Sequence, residues 1–131
     1  MHPLALACTA LLGLFVFGPG LAVSMLRLRT GPLGGLPSDA RSLRGRTIRA
    51  HGNPTGYAPQ LAVPGLWFGA HAPSATTLAV LAGVTACRVW LVVGRLAWPD
   101  LNRPNPARFV GAPGTGVPGG ALCLRLLPGL G

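Results

Sequence analysis

The sequence predicts an all-α, integral membrane four-helix bundle in a single domain spanning residues 1–131, and three observations predict it. Half of the residues are apolar and a tenth are charged, against roughly 25% charged in soluble domains. Stretches long enough to cross a bilayer recur along the chain and are nearly free of charge. The positive charge gathers in two of the segments between those stretches and at the span ends next to them.

The first span covers residues 3–26, without one charged side chain. At 1.5 Å per residue such a helix reaches roughly 36 Å, enough for a hydrocarbon core of ~30 Å. Pro19 lies inside it, an interruption that membrane helices tolerate. The rival reading is a cleaved signal peptide ending near Ala22-Val23-Ser24, but Met1 and His2 supply no positive n-region. Residues 27–48 read as a loop carrying Arg27, Arg29, Arg41, Arg44 and Arg46, broken by Gly31, Pro32, Gly34, Gly35 and Pro37, with Ser38 placed to cap a helical lead-in.

The second span runs from about Ile48 to Ala70 and contains Pro54, Pro59 and Pro64. Each proline removes a backbone donor, so a helix here requires neighbouring helices to satisfy the freed carbonyls. Trp67 and Phe68 suit an interface belt. After a short turn the third span covers residues 75–98, with Arg88 near its middle, Arg95 two turns on and Trp98 at its exit. The fourth segment, Arg108 to Leu130, holds Pro113, Pro118, Pro128 and many glycines. Local propensity opposes a helix there. The fourth helix is therefore the open one, with 112–131 readable as a span and 116–131 as a degenerate or disordered tail.

Composition narrows the function classes. A net charge of +9 arises from eleven arginines, no lysine, two aspartates and no glutamate. Basicity can mark nucleic-acid binding, but the mean hydropathy is +0.50 and few aromatics lie among the arginines. The partner expected is the lipid bilayer and not nucleic acid. With no glutamate and both aspartates in loops, carboxylate-based acid–base catalysis is not expected. Cys8, Cys87 and Cys123 are scattered and no histidine stands at ligand spacing, so no metal site is expected. An arginine within a span is a functional-site hypothesis. The partner expected for Arg88 is a backbone carbonyl, a headgroup phosphate, water or an anionic ligand. Snorkelling is the plainer alternative.

The most informative stretch is R-G-R-T-I-R-A-H-G-N-P-T-G-Y-A-P, Arg44 to Pro59. On a helix turning about 100° per residue, Arg49, Asn53, Gly56 and Gln60 share a stripe about 60° wide, and His51 points elsewhere. Read from Arg49 to Pro59, R-A-H-G-N-x-x-x-Y-x-P resembles the second-helix signature of the MAPEG family, small membrane proteins of eicosanoid and glutathione metabolism related to microsomal glutathione transferases. Gly94-Arg95 resembles the G-R motif of that family's third helix. Arg108, followed by Gly111 and Thr115, resembles the arginine that opens its fourth. The family keeps a glutamate where this chain has Gly56 and a histidine where it has Trp98.

The resemblance implies a homotrimer that binds glutathione between subunits and acts on a lipophilic small-molecule substrate. Carried over, Arg49 and Asn53 bind glutathione, Arg95 contacts one of its carboxylates, Arg108 is the catalytic residue that holds the thiolate, and His51 supports the helix-two geometry. The implied function is a glutathione-dependent membrane transferase or peroxidase acting on lipophilic electrophiles. The alternative is a non-catalytic MAPEG-like membrane protein, structural or ligand-binding, that has lost glutathione activity. A third reading is an arginine-rich protein bound peripherally to anionic lipid.

Positive charge sets the expected topology. Nine of the eleven arginines fall in or beside two segments, 27–48 and 99–107, which places both in the cytoplasm and both termini on the opposite side. Single cysteines introduced at Gly34 and Asn102 are therefore expected to label from the same face of the membrane. Labelling from opposite faces would show that the span count is wrong.

Overall fold

The computed structural model describes residues 1–30, 41–98 and 106–127. Among these, every regular element is a helix: α1 Pro3–Thr30, α2 Leu43–Ala70, α3 Ala75–Ala97, α4 Pro106–Gly111 and α5 Pro113–Leu124. Helices α1 and α3 are long and apolar enough to cross a membrane. The cap expected at Ser38, and the loop residues Asp39, Asp100 and Arg103, lie outside the described residues.

The loop expected over 27–48 is shorter than its sequence suggested. Nothing breaks the helix between Leu26 and Thr30, and Arg27 and Arg29 complement the negative end of the α1 dipole. At the other side, Ser42 caps α2, its hydroxyl accepting the Gly45 N–H at 3.1 Å. The α2 helix therefore begins five residues before Ile48, with Arg44 and Arg46 in its first turns.

Helices α1 and α2 are antiparallel and closely apposed. The His2 N–H donates to Gly69 O at 2.7 Å. A Cβ on Gly69 would stand 2.7 Å from Ala5 Cβ, and one on Gly65 3.0 Å from Thr9 Oγ1. Small residues spaced by four thus let two backbones meet, as in membrane helix pairs. Further along the same seam, a Cβ on Gly20 would stand 3.0 Å from the His51 ring. Pro64 removes the donor for Gln60 O, and Cys123 Sγ of α5 approaches that carbonyl at 4.0 Å. In this way a neighbouring helix supplies a weak substitute for a lost backbone bond.

The glycine- and proline-rich fourth segment is helical in two pieces. Pro113 interrupts it, but Ala112 keeps helical angles, φ −73° and ψ −56°, and the Thr115 and Gly116 N–H groups both donate to Ala112 O, so helix resumes at once as α5. Ala107, Gly111, Thr115, Gly119 and Leu122 are buried and recur every three or four residues. Gly111 packs on Leu91 and Cys87, Gly114 on the Cys87 sulfur, and Gly119 on Leu61. Backbone contact of this kind, available only to small residues, outweighs the propensity that opposes the helix. The stretch 116–131 left open in the sequence is helix as far as Leu124; residues 128–131 are outside the described residues.

The core joins Ala5, Cys8 and Leu12 of α1 to Ala58 and Leu61 of α2, Leu81 and Val84 of α3, and Leu122 of α5. Large apolar side chains also face outward, including Leu14, Phe17, Leu21 and Leu28 on α1 and Phe109, Val117 and Leu124 on α4 and α5. The alternation of helix direction gathers the end of α1, the start of α2, the end of α3 and the start of α4 at one pole. Arg27, Arg29, Arg41, Arg44, Arg46, Arg49, Arg95 and Arg108 lie at that pole, and Arg125, donating to Thr77 Oγ1 at 3.3 Å, lies at the other.

The seam makes a contrast between two glycines measurable. Gly69→Val is expected to destabilise the protein by about 1–3 kcal/mol through overpacking. Gly83→Ala, whose added Cβ would meet nothing within 4 Å, is expected to stabilise it by roughly 0.5–1 kcal/mol. Denaturation in detergent compares them, and equal effects would remove the seam from the account.

Candidate functional site

The site is built on one face of α2. Ser42 sets where the helix starts, and the α1 seam sets how it is turned. His51 Nδ1 lies 3.1 Å from Val16 O. Because a carbonyl only accepts, Nδ1 donates here and carries the proton. The ring thereby anchors α2 on α1, and Arg46, Asn53 and Tyr57 fall on the side of α2 that meets α3. Arg46 Nη1 reaches across to donate to Leu96 O at 2.9 Å, closing an orphan carbonyl in the last turn of α3.

At the depth of Asn53 lies Arg88 of α3, 2% exposed. Its Nη1 donates to Asn53 Oδ1 at 2.6 Å, and its guanidinium carbon stands 4.1 Å from the centre of the Tyr57 ring. The protein partners of Arg88 are thus a side-chain amide and an aromatic face, neither of which was expected from sequence. The reason is positional. Asn53 and Tyr57 are four residues apart, so both meet the same point on α3, and a neutral acceptor there satisfies a buried cation without a carboxylate. The Arg88 Nε remains buried without a hydrogen-bond partner among the described residues.

The four residues expected to form a site lie as follows. Arg49 and Asn53 are half-buried on α2, Arg95 is half-buried on α3, and Arg108 is exposed on α4. The charges of Arg108 and Arg49 both act on Arg95, and that of Arg95 acts on Arg88. Residues from three separate helices thus form one column of positive charge, running from the basic pole to mid-helix. Asn53 belongs to it through Arg88. The residue missed by sequence reasoning as a member of this set is Tyr57; its spacing of four from Asn53 was the available signal.

No carboxylate faces this column among the described residues, since the chain's acids are Asp39 and Asp100. Gly56 is exposed, and a Cβ there would meet nothing within 4 Å. Beside it, a groove of about 320 Å³ opens between α2 and α5, lined by Gly56, Tyr57, Gln60 and Cys123 and floored by glycines of α5. Among the described residues no group of histidine, cysteine or acidic side chains could hold a metal ion. Chemically, the arrangement can bind anions and stabilise a developing negative charge next to an apolar groove. Comparison with protein-family models, curated proteins and solved structures returned no match for this chain.

A double-mutant cycle tests the buried contact. Asn53→Ala and Arg88→Met are expected to couple by about 1.5–3 kcal/mol in unfolding free energy, the range for hydrogen bonds to charged groups. Strict additivity would mean that Arg88 and Asn53 are neighbours without interacting.

Proposed function

We propose that this chain is a membrane protein of MAPEG type, an integral helix bundle acting as a homotrimer, whose basic pole faces the cytoplasm and binds the anionic groups of a glutathione-class thiol. The observation that carries the reading is the set Arg49, Arg95 and Arg108 from α2, α3 and α4, in which the charges of Arg108 and Arg49 both act on Arg95. Like charges held close together favour an anion between them. Apolar side chains facing outward on α1, α4 and α5 support contact with lipid and with other subunits.

The residues suit part of glutathione and not all of it. Its carboxylates suit Arg49 and Arg95, guanidiniums being the natural partners of carboxylates. Its ammonium meets no acidic side chain among the described residues, Gly56 standing where the family keeps a glutamate, and the Asn53 oxygen already accepts from Arg88. When bound, glutathione would supply a thiol. The chain's own contribution would be Arg108, favouring the thiolate over the thiol by charge, and the groove beside Tyr57, admitting a lipophilic electrophile from the bilayer. The activity proposed is accordingly a glutathione-dependent transferase or peroxidase. The absent acid and the engaged Asn53 favour a second reading, a non-catalytic member of the same type that retains an anion site.

Calorimetry on the detergent-purified protein separates the two. Glutathione binding is expected, weakened by about tenfold to a hundredfold in Arg49→Ala and in Arg95→Ala, the worth of a charge-assisted hydrogen bond of ~1.5–3 kcal/mol. Binding without thiolate formation, followed by the ultraviolet absorbance of the thiolate, would leave the non-catalytic reading. Absence of binding would end the glutathione reading.

A further inference from the structure

A second groove, of about 300 Å³, follows the α1–α2 seam at the basic pole. Ala22, Met25, Leu26 and Arg29 of α1 line it with Leu43 and Thr47 of α2. Thr47 stands one turn before His51 on the face of α2 that meets α1. The groove is therefore separate from the Arg49, Arg95 and Arg108 set. Thr47 donates its hydroxyl proton to Leu43 O at 2.8 Å, so Arg29 supplies the charged group of a mostly apolar lining. Met25 is 50% and Leu43 58% exposed, and the groove opens outward, away from the core.

Position along α1 decides what fits this groove. The helix is long and apolar enough to cross a membrane, and no charged side chain precedes Arg27. Arg29 thus stands past the apolar run, at headgroup level. Ala22 lies seven residues earlier, ~10 Å down the helix axis, where one leaflet contributes ~15 Å of a ~30 Å hydrocarbon core. The groove begins with a guanidinium at the headgroups and ends with apolar walls inside the hydrocarbon. A phosphate suits the first, and an acyl chain suits the second. Arg27, Arg41, Arg44 and Arg46 at the same pole add attraction for a lipid of net negative charge. Resting on the membrane reading above but not on its glutathione site, we propose that the groove binds one anionic phospholipid, its phosphate on Arg29 and one acyl chain along Leu43, Leu26, Met25 and Ala22.

The test is native mass spectrometry of the full chain in a neutral detergent, titrated with dioleoylphosphatidylglycerol or dioleoylphosphatidylcholine. Phosphatidylglycerol is expected to bind about fivefold more tightly, the effect of one arginine at a membrane surface. Arg29→Gln is expected to lower it to the level of phosphatidylcholine. Arg41→Gln, exposed at the same pole but outside the groove lining, is expected to keep the preference. Ala22→Phe, which fills the deep end, is expected to weaken both lipids. Equal binding of the two lipids by the wild type would overturn the proposal. So would equal losses in Arg29→Gln and Arg41→Gln, which would mean attraction to the whole pole, or lipid binding undiminished in Ala22→Phe. Displacement of the lipid by inorganic phosphate would reduce the site to a free-anion site. A self-associated chain that retains no lipid would assign the groove to a second copy, and the proposal would fall. Each of these results leaves the membrane reading standing; release of the chain from membranes by alkaline carbonate would overturn both.

Discussion

Close approach between helix backbones is the constraint on which the other features of this protein depend. Where Gly69 meets Ala5 and Gly65 meets Thr9, there is no space for a larger side chain, so α1 and α2 have one register. That register brings His51 to Val16 O and fixes the rotation of α2 about its own axis. On a helix turning ~100° per residue, Gly65, Gly69 and His51 fall within about 40° of one another, and Asn53 and Tyr57 lie roughly 200–240° around from His51. One face of α2 is thereby committed to α1, and the opposite face delivers Asn53 and Tyr57 to Arg88. Loosening the glycine seam would turn the polar stripe away from α3 before it changed any residue of the site.

The buried guanidinium is tolerable because its neighbours are of a particular chemistry. A carboxylate partner would neutralise it and close the site. An apolar surround would leave it with a desolvation penalty of several kcal/mol and nothing in return. Asn53 and Tyr57 lie between these limits. They satisfy one N–H and one face of the guanidinium plane while leaving its charge in place. Positive charge therefore persists at mid-helix depth, close to Arg95 and through it to Arg49 and Arg108. Of these cations, Arg88 is held in place by its hydrogen bond to Asn53 and its contact with the Tyr57 ring.

Much of the fold could be read from the sequence, and the limits have physical causes. The uncharged run from Pro3 to Leu26 and the apolar run around Leu81 to Val93 announced α1 and α3, because length and hydropathy are local properties. The boundaries near Thr30 and Leu43 could not be read as well, because arginine suits either a basic loop or the end of a helix, and only the Ser42 cap decides between them. Residues 106–124 were the least legible. Glycine and proline argue against a helix whenever local propensity is weighed alone, and the contacts of Gly111, Gly114 and Gly119 with α3 and α2 exist only after the bundle has assembled. In the site, the stripe of Arg49, Asn53 and Gln60 followed from helical spacing. The pairing of Arg88 with Asn53 did not, since it depends on which face of α2 the α1 seam leaves for α3.

The ends of the helices sharpen the electrostatic asymmetry. At the basic pole, Arg27 and Arg29 stand in the last turn of α1 and Arg95 in that of α3, where the dipole favours them. The start of α2 is the opposite case. Its first turn holds no acid, and Arg44 and Arg46 add positive charge to the positive end of a dipole, a placement that costs rather than contributes ~0.3–1 kcal/mol per charge. Arg46 recovers part of this by donating to Leu96 O, the negative end of α3. Arg49, one turn deeper, faces Arg95 instead, so its charge adds to the column. Positive charge is therefore concentrated in one region, between the starts of α2 and α4 and the end of α3.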